Sequence, residues 1–421
     1  MLPSARPPRH SGTVSQPTAR TPNTRLIIAL CAAIFALGQF HRAAGSVFTP
    51  ILIDRFALSA TVISGLVSAM FLAAVLTQIP LGAALDRYGP RRMLCLSILV
   101  AALGTGLFAI GDSYEALFAA RLTIGLGTAV CGAATHVIVA RTFPERQFGY
   151  ANGMIIMFGS TGGLMGTYPL ALALGRFDWT LVFGTVMVFV LLLLAAIYRI
   201  VPPGPVPKPA QTEGQPTGYL SLLRSAEVRK ILTIGLVTFA PITTITGIWG
   251  GPFLQDVLGM SPEASGAVLL MLFGASVLSA FLFGQLDRLV TRRKVMILIA
   301  AGLSSACLFT LALLPGPGPV VTIALLFGMM FCQQFYIPLG AHMRKVVPLG
   351  VVGRASIMLS LVGVAAIPVM QTGFGVILDF ARAEGFDAAQ QFRFSFGAMG
   401  LVIALCASVY ALARDADAEV R

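Results

Sequence analysis

The sequence predicts an all-α integral membrane protein with twelve transmembrane helices in two parallel six-helix halves. Three observations carry this reading. Twelve apolar segments approach the roughly 20 residues needed to cross a hydrocarbon core. The Lys and Arg residues between them fall almost entirely on alternate loops. Landmarks of the first half recur in the second, 201 or 202 positions later.

The chain has 421 residues, 57% of them hydrophobic and 11% charged. Soluble domains carry about 25% charged residues, so lipid must cover much of this surface. Residues 1–24 are rich in Pro, Ser, Thr and Arg, lack acids, and read as a disordered cytoplasmic tail. An organelle transit peptide shares that composition, but the prolines oppose its amphipathic helix. Segments near 26–49, 62–85, 93–111, 115–140, 151–174 and 179–199 form an N-terminal bundle over 25–199. The first of them is too long for a signal-peptide core. A stretch at 200–229, opening Val201-Pro202-Pro203-Gly204-Pro205, reads as a flexible cytoplasmic linker. Segments near 230–254, 264–286, 295–314, 319–341, 354–378 and 394–413 form the C-terminal bundle over 230–413, and 414–421 a second cytoplasmic tail. In the seventh segment, Trp249 precedes Gly250-Gly251-Pro252, which reads as a helix break and a gate. All six cysteines (Cys31, Cys95, Cys131, Cys307, Cys332 and Cys406) lie in apolar segments without a C-x-x-C pair. They read as small core hydrophobes rather than disulfides or metal ligands.

With both termini inside, 23 of the 29 Lys and Arg lie on inner loops and tails, and four (Arg55, Arg176, Arg382, Arg393) lie outside. The remaining two, Arg42 and Arg121, fall within helices. Such sorting is the positive-inside rule, and an odd number of crossings would scramble it. The expectation is a multi-pass protein of the plasma (inner) membrane with cytoplasmic termini. The net charge of +12 is then topological. No basic face with interleaved aromatics suggests nucleic acid.

The repeat relates the two halves. Pro50, Leu52, Asp54 and Ser59 recur as Pro252, Leu254, Asp256 and Ser261. Ser64, Gly65, Val67 and Met70 recur as Ser265, Gly266, Val268 and Met271. Asp86-Arg87 with Arg91-Arg92 recurs as Asp287-Arg288 with Arg292-Arg293. Two parallel halves of this kind suit alternating access, one bundle rocking against the other around a central site.

The loop Gly82-Ala83-Ala84-Leu85-Asp86-Arg87-Tyr88-Gly89-Pro90-Arg91-Arg92 resembles the signature loop of the major facilitator superfamily. Arg121, Gly125 and Gly127 are similar to that family's Arg-x-x-x-Gly-x-Gly pattern. The resemblance implies facilitated or ion-coupled movement of small solutes, without a cofactor. On physical grounds Asp86, at a cytoplasmic helix end, can accept hydrogen bonds from a helix N-terminus and pair with arginine across the seam between halves. Gly82, Asp86, Arg87, Gly89, Arg91 and Arg92, with Asp287 and Arg288 of the repeat, are thus candidates for a conformational latch favouring the outward-facing state. The competing reading is that the arginines only anchor their loops inside. Gly159-Ser160-Thr161-Gly162-Gly163 lacks the proline of the family's drug/proton antiporter element and reads as close helix packing by small residues.

All 17 acidic residues lie in loops, tails or helix ends. The intramembrane charges are Arg42 and Arg121, each costing at least about 2.5–3.5 kcal/mol at a helix centre and so requiring a partner or a hydrated cavity. Counting residues from the segment ends puts both in the outer half of the N-terminal bundle. With no acid to neutralise them, an anionic solute is the natural counter-ion, since guanidinium binds carboxylate or phosphate bidentately. Their placement also resembles the family's organic-anion:cation symporters. The acidic partners common there are absent, His41 standing beside Arg42 and Thr128 beyond Arg121, which argues against proton coupling through a carboxylate. The competing readings are snorkelling or backbone hydrogen bonding for Arg42 and a family-wide structural role for Arg121. His41 is a proton-coupling candidate or a neutral core histidine. His136 and His342 divide the same way. Gln39, Gln78, Trp249, Gln333, Gln334, Tyr336 and Gln371 are further polar candidates. Trp249 alternatively belongs to an interfacial aromatic belt, and the glutamines to helix–helix hydrogen bonding.

The expected function is secondary active or facilitative transport of a small anionic organic solute by a monomer, with a coupling ion unassigned and no metal. The alternative is an exporter of a hydrophobic compound of drug or siderophore type, with structural arginines. A receptor on this scaffold would need an output domain beyond the short tails. An intramembrane enzyme is disfavoured by the absence of H-E-x-x-H, G-x-S-x-G or paired intrahelical carboxylates.

Overall fold

The computed structural model describes residues 24–202, 219–290, 292–348 and 351–415. Most of both predicted tails, more than half of the linker, Thr291, Leu349 and Gly350 lie outside the described residues. Twelve described helices are long and apolar enough to cross a membrane. In the N-terminal half, α1 runs Thr24–Ala43 and continues past an offset at Ala44 as Gly45–Phe56. Helices α2 (Ala60–Tyr88) and α3 (Pro90–Ile110) follow. Then come α4 (Tyr114–Thr128 and Cys131–Thr142), α5 (Glu145–Gly159, Thr161–Met165 and Tyr168–Leu174) and α6 (Trp179–Ile200). In the C-terminal half, α7 spans Ala226–Val257. It is followed by α8 (Pro262–Leu289), α9 (Arg293–Leu313), α10 (Pro319–Cys332 and Tyr336–Val346), α11 (Val352–Ala383) and α12 (Ala388–Ala411).

The repeat in the sequence becomes repeated local geometry. Ser59 and Ser261 cap α2 and α8, their hydroxyls accepting from Val62 N (3.4 Å) and Ala264 N (3.2 Å). Between α2 and α3, Gly89 adopts φ 79°, a conformation that costs glycine little, and Pro90 starts the next helix.

Besides the breaks in α4 and α5, α7 and α10 are interrupted where the pattern predicts continuity, each about one turn before a proline. In α7 the α-helix stops at Gly235 and resumes at Ala240, just before Pro241. Pro241 has no N–H for the carbonyl of Val237, four residues back. The side chain of Gln333 supplies the missing donor. In α10 the helix stops at Cys332 and resumes at Tyr336, and Pro338 likewise leaves the Gln334 carbonyl without its intrahelical donor. The break expected at Gly250-Gly251-Pro252 is absent: the helix passes through it, widened into π turns at Ile245–Trp249 and Phe253–Val257. Helix α7 also begins at Ala226, inside the predicted linker, and a short helix, Tyr219–Arg224, precedes it.

"Outer" below means the face that the Lys/Arg sorting assigns to the outside. The halves are fused at that face. One apolar core runs from Phe48, Leu52 and Ile63 of the N-terminal half into Trp249, Leu254 and Phe374 of the other, whereas Ile27, Leu94, Ile98 and Ala134 form a separate inner core. Glycines let backbones touch across the seam. A Cβ on Gly45 would lie 1.8 Å from Gly247 O, and one on Gly251 1.8 Å from Ser46 O. One on Gly375 would lie 2.6 Å from Ala60 O, and one on Gly163 2.1 Å from the Phe273 ring. Ser46 Oγ donates to Ile245 O at 2.8 Å. Every one of these contacts lies in the outer half of its helix. By contrast, a Cβ on Gly132, Gly153 or Gly340, in the inner portions of α4, α5 and α10, would meet nothing within 4 Å. The halves are closed against each other at the outer face.

Candidate functional site

The two intramembrane arginines, alike in sequence, have opposite surroundings. Arg121 is 1% exposed. Its Nη1 donates to His41 O (3.1 Å) and its Nη2 to Val67 O (3.0 Å), while Phe48 lies 5.4 Å from the guanidinium carbon. The charge is spent joining α4 to the backbones of α1 and α2, so this guanidinium does not face an open space. Arg42 is exposed, although Phe71 of α2 lies 6.0 Å from its guanidinium carbon and α7 packs on its backbone through Gly247. Its Nη1 donates to Gln39 Oε1 at 3.3 Å, and no carboxylate pairs with it among the described residues.

Gln371 approaches from the other half. It is fully buried, its Nε2 donates to Thr243 O at 3.1 Å, and its Oε1 has no partner among the described residues. A Cβ on Gly247 would stand 3.1 Å from Arg42 O and 3.5 Å from Gln371 Nε2, so the two candidates converge on one glycine. Roughly two turns inward along α7, Phe239 packs on Tyr336 (4.8 Å between centroids), whose hydroxyl bonds Ser360. Gln334 is half-buried beside it in the α10 break.

The other candidates lie elsewhere. His41 is 1% exposed and sits 3.3 Å from Thr105 Oγ1 of α3, the geometry of a core histidine. Trp249 is 2% exposed, stacks on Phe374 (5.7 Å) and donates to Gln371 O (3.3 Å), so it packs inside the outer seam and not in an interfacial belt. Gln333 accepts from Ser304 Oγ (2.6 Å) while bonding Val237 O, and so ties α10 to α9 and α7. Gln78 is half-buried on α2. His136 is exposed and bonds Gly132 O in its own helix, whereas buried His342 meets Tyr410 Oη at 2.7 Å.

In the inner loops, Asp287 pairs with Arg293 of the same loop at 2.7 Å. Arg91 donates to Tyr198 O (2.5 Å) and lies over that ring at 4.5 Å, within its own half. Arg87 rests on Tyr88 (5.3 Å), and Arg92 is exposed. Gly82 and the side chains of Asp86 and Arg288 lie outside the described ones.

Sequence reasoning missed one contact across the seam. The carboxylate of Asp379 on α11 accepts from Ala60 N (2.8 Å) and Thr61 N (2.7 Å) at the start of α2. Its position near an outer helix end marked it only as a loop-side acid.

The family model described as Major Facilitator Superfamily matches residues 28–371. The chain belongs to this superfamily. Among its superfamily relatives, the uncharacterized transporter YybO of Bacillus subtilis (strain 168) is 30% identical over 175 residues, 41% of this chain and 40% of that one. The hexuronate transporter of the same organism is 23% identical over 314 residues, 72% and 74% of the two chains. A solved structure of a bacterial homologue of the human lysosomal transporter Spinster, inward-facing and occupied, matches with TM-score 0.76 and 17% identity over 92% of this chain and 96% of that one. The chain spans less than about half the length of the first curated relatives it matches, but the superfamily fold of twelve helices is established, and the protein is a multi-pass membrane protein.

Proposed function

We propose that this transporter moves a small anionic organic solute by alternating access, with Arg42 as the group that recognises the anion. The single observation carrying the reading is an exposed Arg42 guanidinium on a membrane-spanning helix, hydrogen-bonded only to an amide oxygen among the described residues. A cation within a membrane-spanning helix is costly unless hydrated or paired, and a carboxylate offers it two parallel hydrogen bonds. The name of the hexuronate transporter, which specifies a sugar acid, supports the same class. Gln39, Gln371, Gln334 and Tyr336 supply amides and a hydroxyl for the solute's polar body, and Arg121 holds the backbone from which Arg42 projects. The chain acts as a monomer in the plasma membrane with both termini cytoplasmic, and the Asp86 and Asp287 loops close the inner face. In keeping with that role, Asp287 is satisfied within its own loop while the outer face is closed.

The test is uptake of labelled D-glucuronate and D-glucose into proteoliposomes. Arg42→Ala should raise the half-saturation concentration for the acid about tenfold or more, the loss of one charge-assisted pair, and Arg42→Lys less. Equal affinity for glucuronate in the parent and Arg42→Ala proteins would remove the anion reading.

A further inference from the structure

We infer that Asp379 is the outer latch of the transport cycle: a carboxylate on α11 that holds the outward-closed state by capping α2 across the seam. Its two oxygens take the first two backbone N–H groups of α2, Ala60 at 2.8 Å and Thr61 at 2.7 Å. The hydroxyls of Ser59 and Thr61 bond the same carboxylate. A helix of 29 residues presents four unsatisfied N–H groups and a positive dipole end at this point. Of the helix's own N–H groups, its cap Ser59 accepts only from Val62 N, at 3.4 Å. The first two donors are therefore left for the opposite half.

Two features make this a switch rather than a static brace. The donors and the acceptor belong to different halves, so the bonds cannot survive separation of α2 from α11. When the outer face opens, Ala60, Thr61 and Asp379 are all released to water, which satisfies them at small cost, so the latch biases the equilibrium without locking it. Gly375, one turn before Asp379, lets α11 lie against Ala60 and Ser64 and so brings the carboxylate within bonding distance. The antiparallel pair also has an approximate two-fold logic. Asp86 follows Ala60 by 26 positions on α2, and Asp379 follows Val352 by 27 on α11. Each helix thus carries an acid near its C-terminal end, at the face where its partner begins. Asp379 serves the outer face as the Asp86 loop is proposed to serve the inner. The inference rests on alternating access and not on the solute's charge.

The test needs no solute. Thr49 of α1 is fully buried, one turn outward of Ser46 on the same seam face. A Thr49→Cys reporter, with labelling of the six native cysteines subtracted, reads opening of the outer seam in detergent-purified full-length protein through its rate of maleimide alkylation. Loss of a capping carboxylate shifts a two-state equilibrium by roughly 5- to 30-fold. Asp379→Ala should therefore raise the alkylation rate by about that factor. Asp379→Asn, which keeps one acceptor, should raise it less, and Asp379→Glu should stay near the parent. An unchanged rate in Asp379→Ala, with Gly251→Trp raising it as a wedge control, overturns the inference. Should Asp379→Ala fail to give a monodisperse protein, the near-isosteric Asp379→Asn decides alone, and an unchanged rate there is equally fatal. Because Arg42 variants alter solute affinity and not this rate, the two proposals fail separately.

Discussion

Arg42 and Arg121 are equivalent in a list of intramembrane charges, yet only one has a vacant fork. The difference lies in backbone geometry: the His41 carbonyl of α1 and the Val67 carbonyl of α2 stand where the Arg121 guanidinium can span them. Hydrogen bonds to charged groups contribute about 1.5–3 kcal/mol each. Arg121→Ala should thus destabilise the protein by roughly 2–4 kcal/mol, with two carbonyls left buried. Arg121→Lys should recover only part, since a point charge cannot reach both acceptors. Thermal unfolding in detergent checks this, with Arg42→Ala expected to melt near the parent. Residue types and depth were legible in the sequence because helix rise is constant. Which way a guanidinium pointed was not, because that depends on carbonyls 54 and 80 positions away. Asp379 was illegible for the same reason, its acceptor role being defined by an N-terminus 319 residues back.

At the scale of the helix, the sequence carried more than was read from it. Twelve segments followed from hydropathy and the repeat, whereas Ser59 and Ser261 were read only as repeat landmarks and not as the helix caps they are. The interruptions of α7 and α10 did not, because neither interrupts the hydropathy of its segment enough to mark a boundary. The usable signal was Pro241 and Pro338, each cancelling a hydrogen bond one turn earlier. Conversely, Gly250-Gly251-Pro252 looked like a break and instead provides close approach to α1, with π turns absorbing the proline. Gln333 makes the α7 interruption stable by bonding the orphaned Val237 carbonyl and accepting from Ser304. Gln333→Leu should cost about 2–3 kcal/mol, the penalty for stranding a buried carbonyl and a hydroxyl, and lower the melting temperature. Gln334→Ala, in the adjacent half-buried position, should leave melting unchanged while weakening solute binding measured by competition in proteoliposomes. Equal melting of the two variants would mean that the break is held by packing alone.

At the scale of the whole molecule, the two bundles are close-packed along the outer face, and the glycines there decide which state is reachable. A Cβ added at Gly251 would sit 1.8 Å from the Ser46 carbonyl oxygen, backbone against backbone, so no rotamer change relieves it. The cheapest relief is to part α1 from α7, which opens the outer seam. The inner faces of α4 and α5 carry no such constraint, since a Cβ at Gly132 or Gly153 meets open space. Gly251→Val should therefore remain folded and monodisperse but be unable to close outward, and its uptake in proteoliposomes should fall to background. Gly132→Val and Gly153→Val add the same methyl groups to the same kind of helix and should keep most of the parent's uptake. That contrast separates a block on closure from a general cost of replacing helical glycine, which at most favours the larger residue. If all three variants lose transport together, helix packing at large is at fault and the outer seam has no special part in the cycle. If Gly251→Val alone transports normally, the halves do not need to touch along α1 and α7, and the outward-closed arrangement is not an obligatory state.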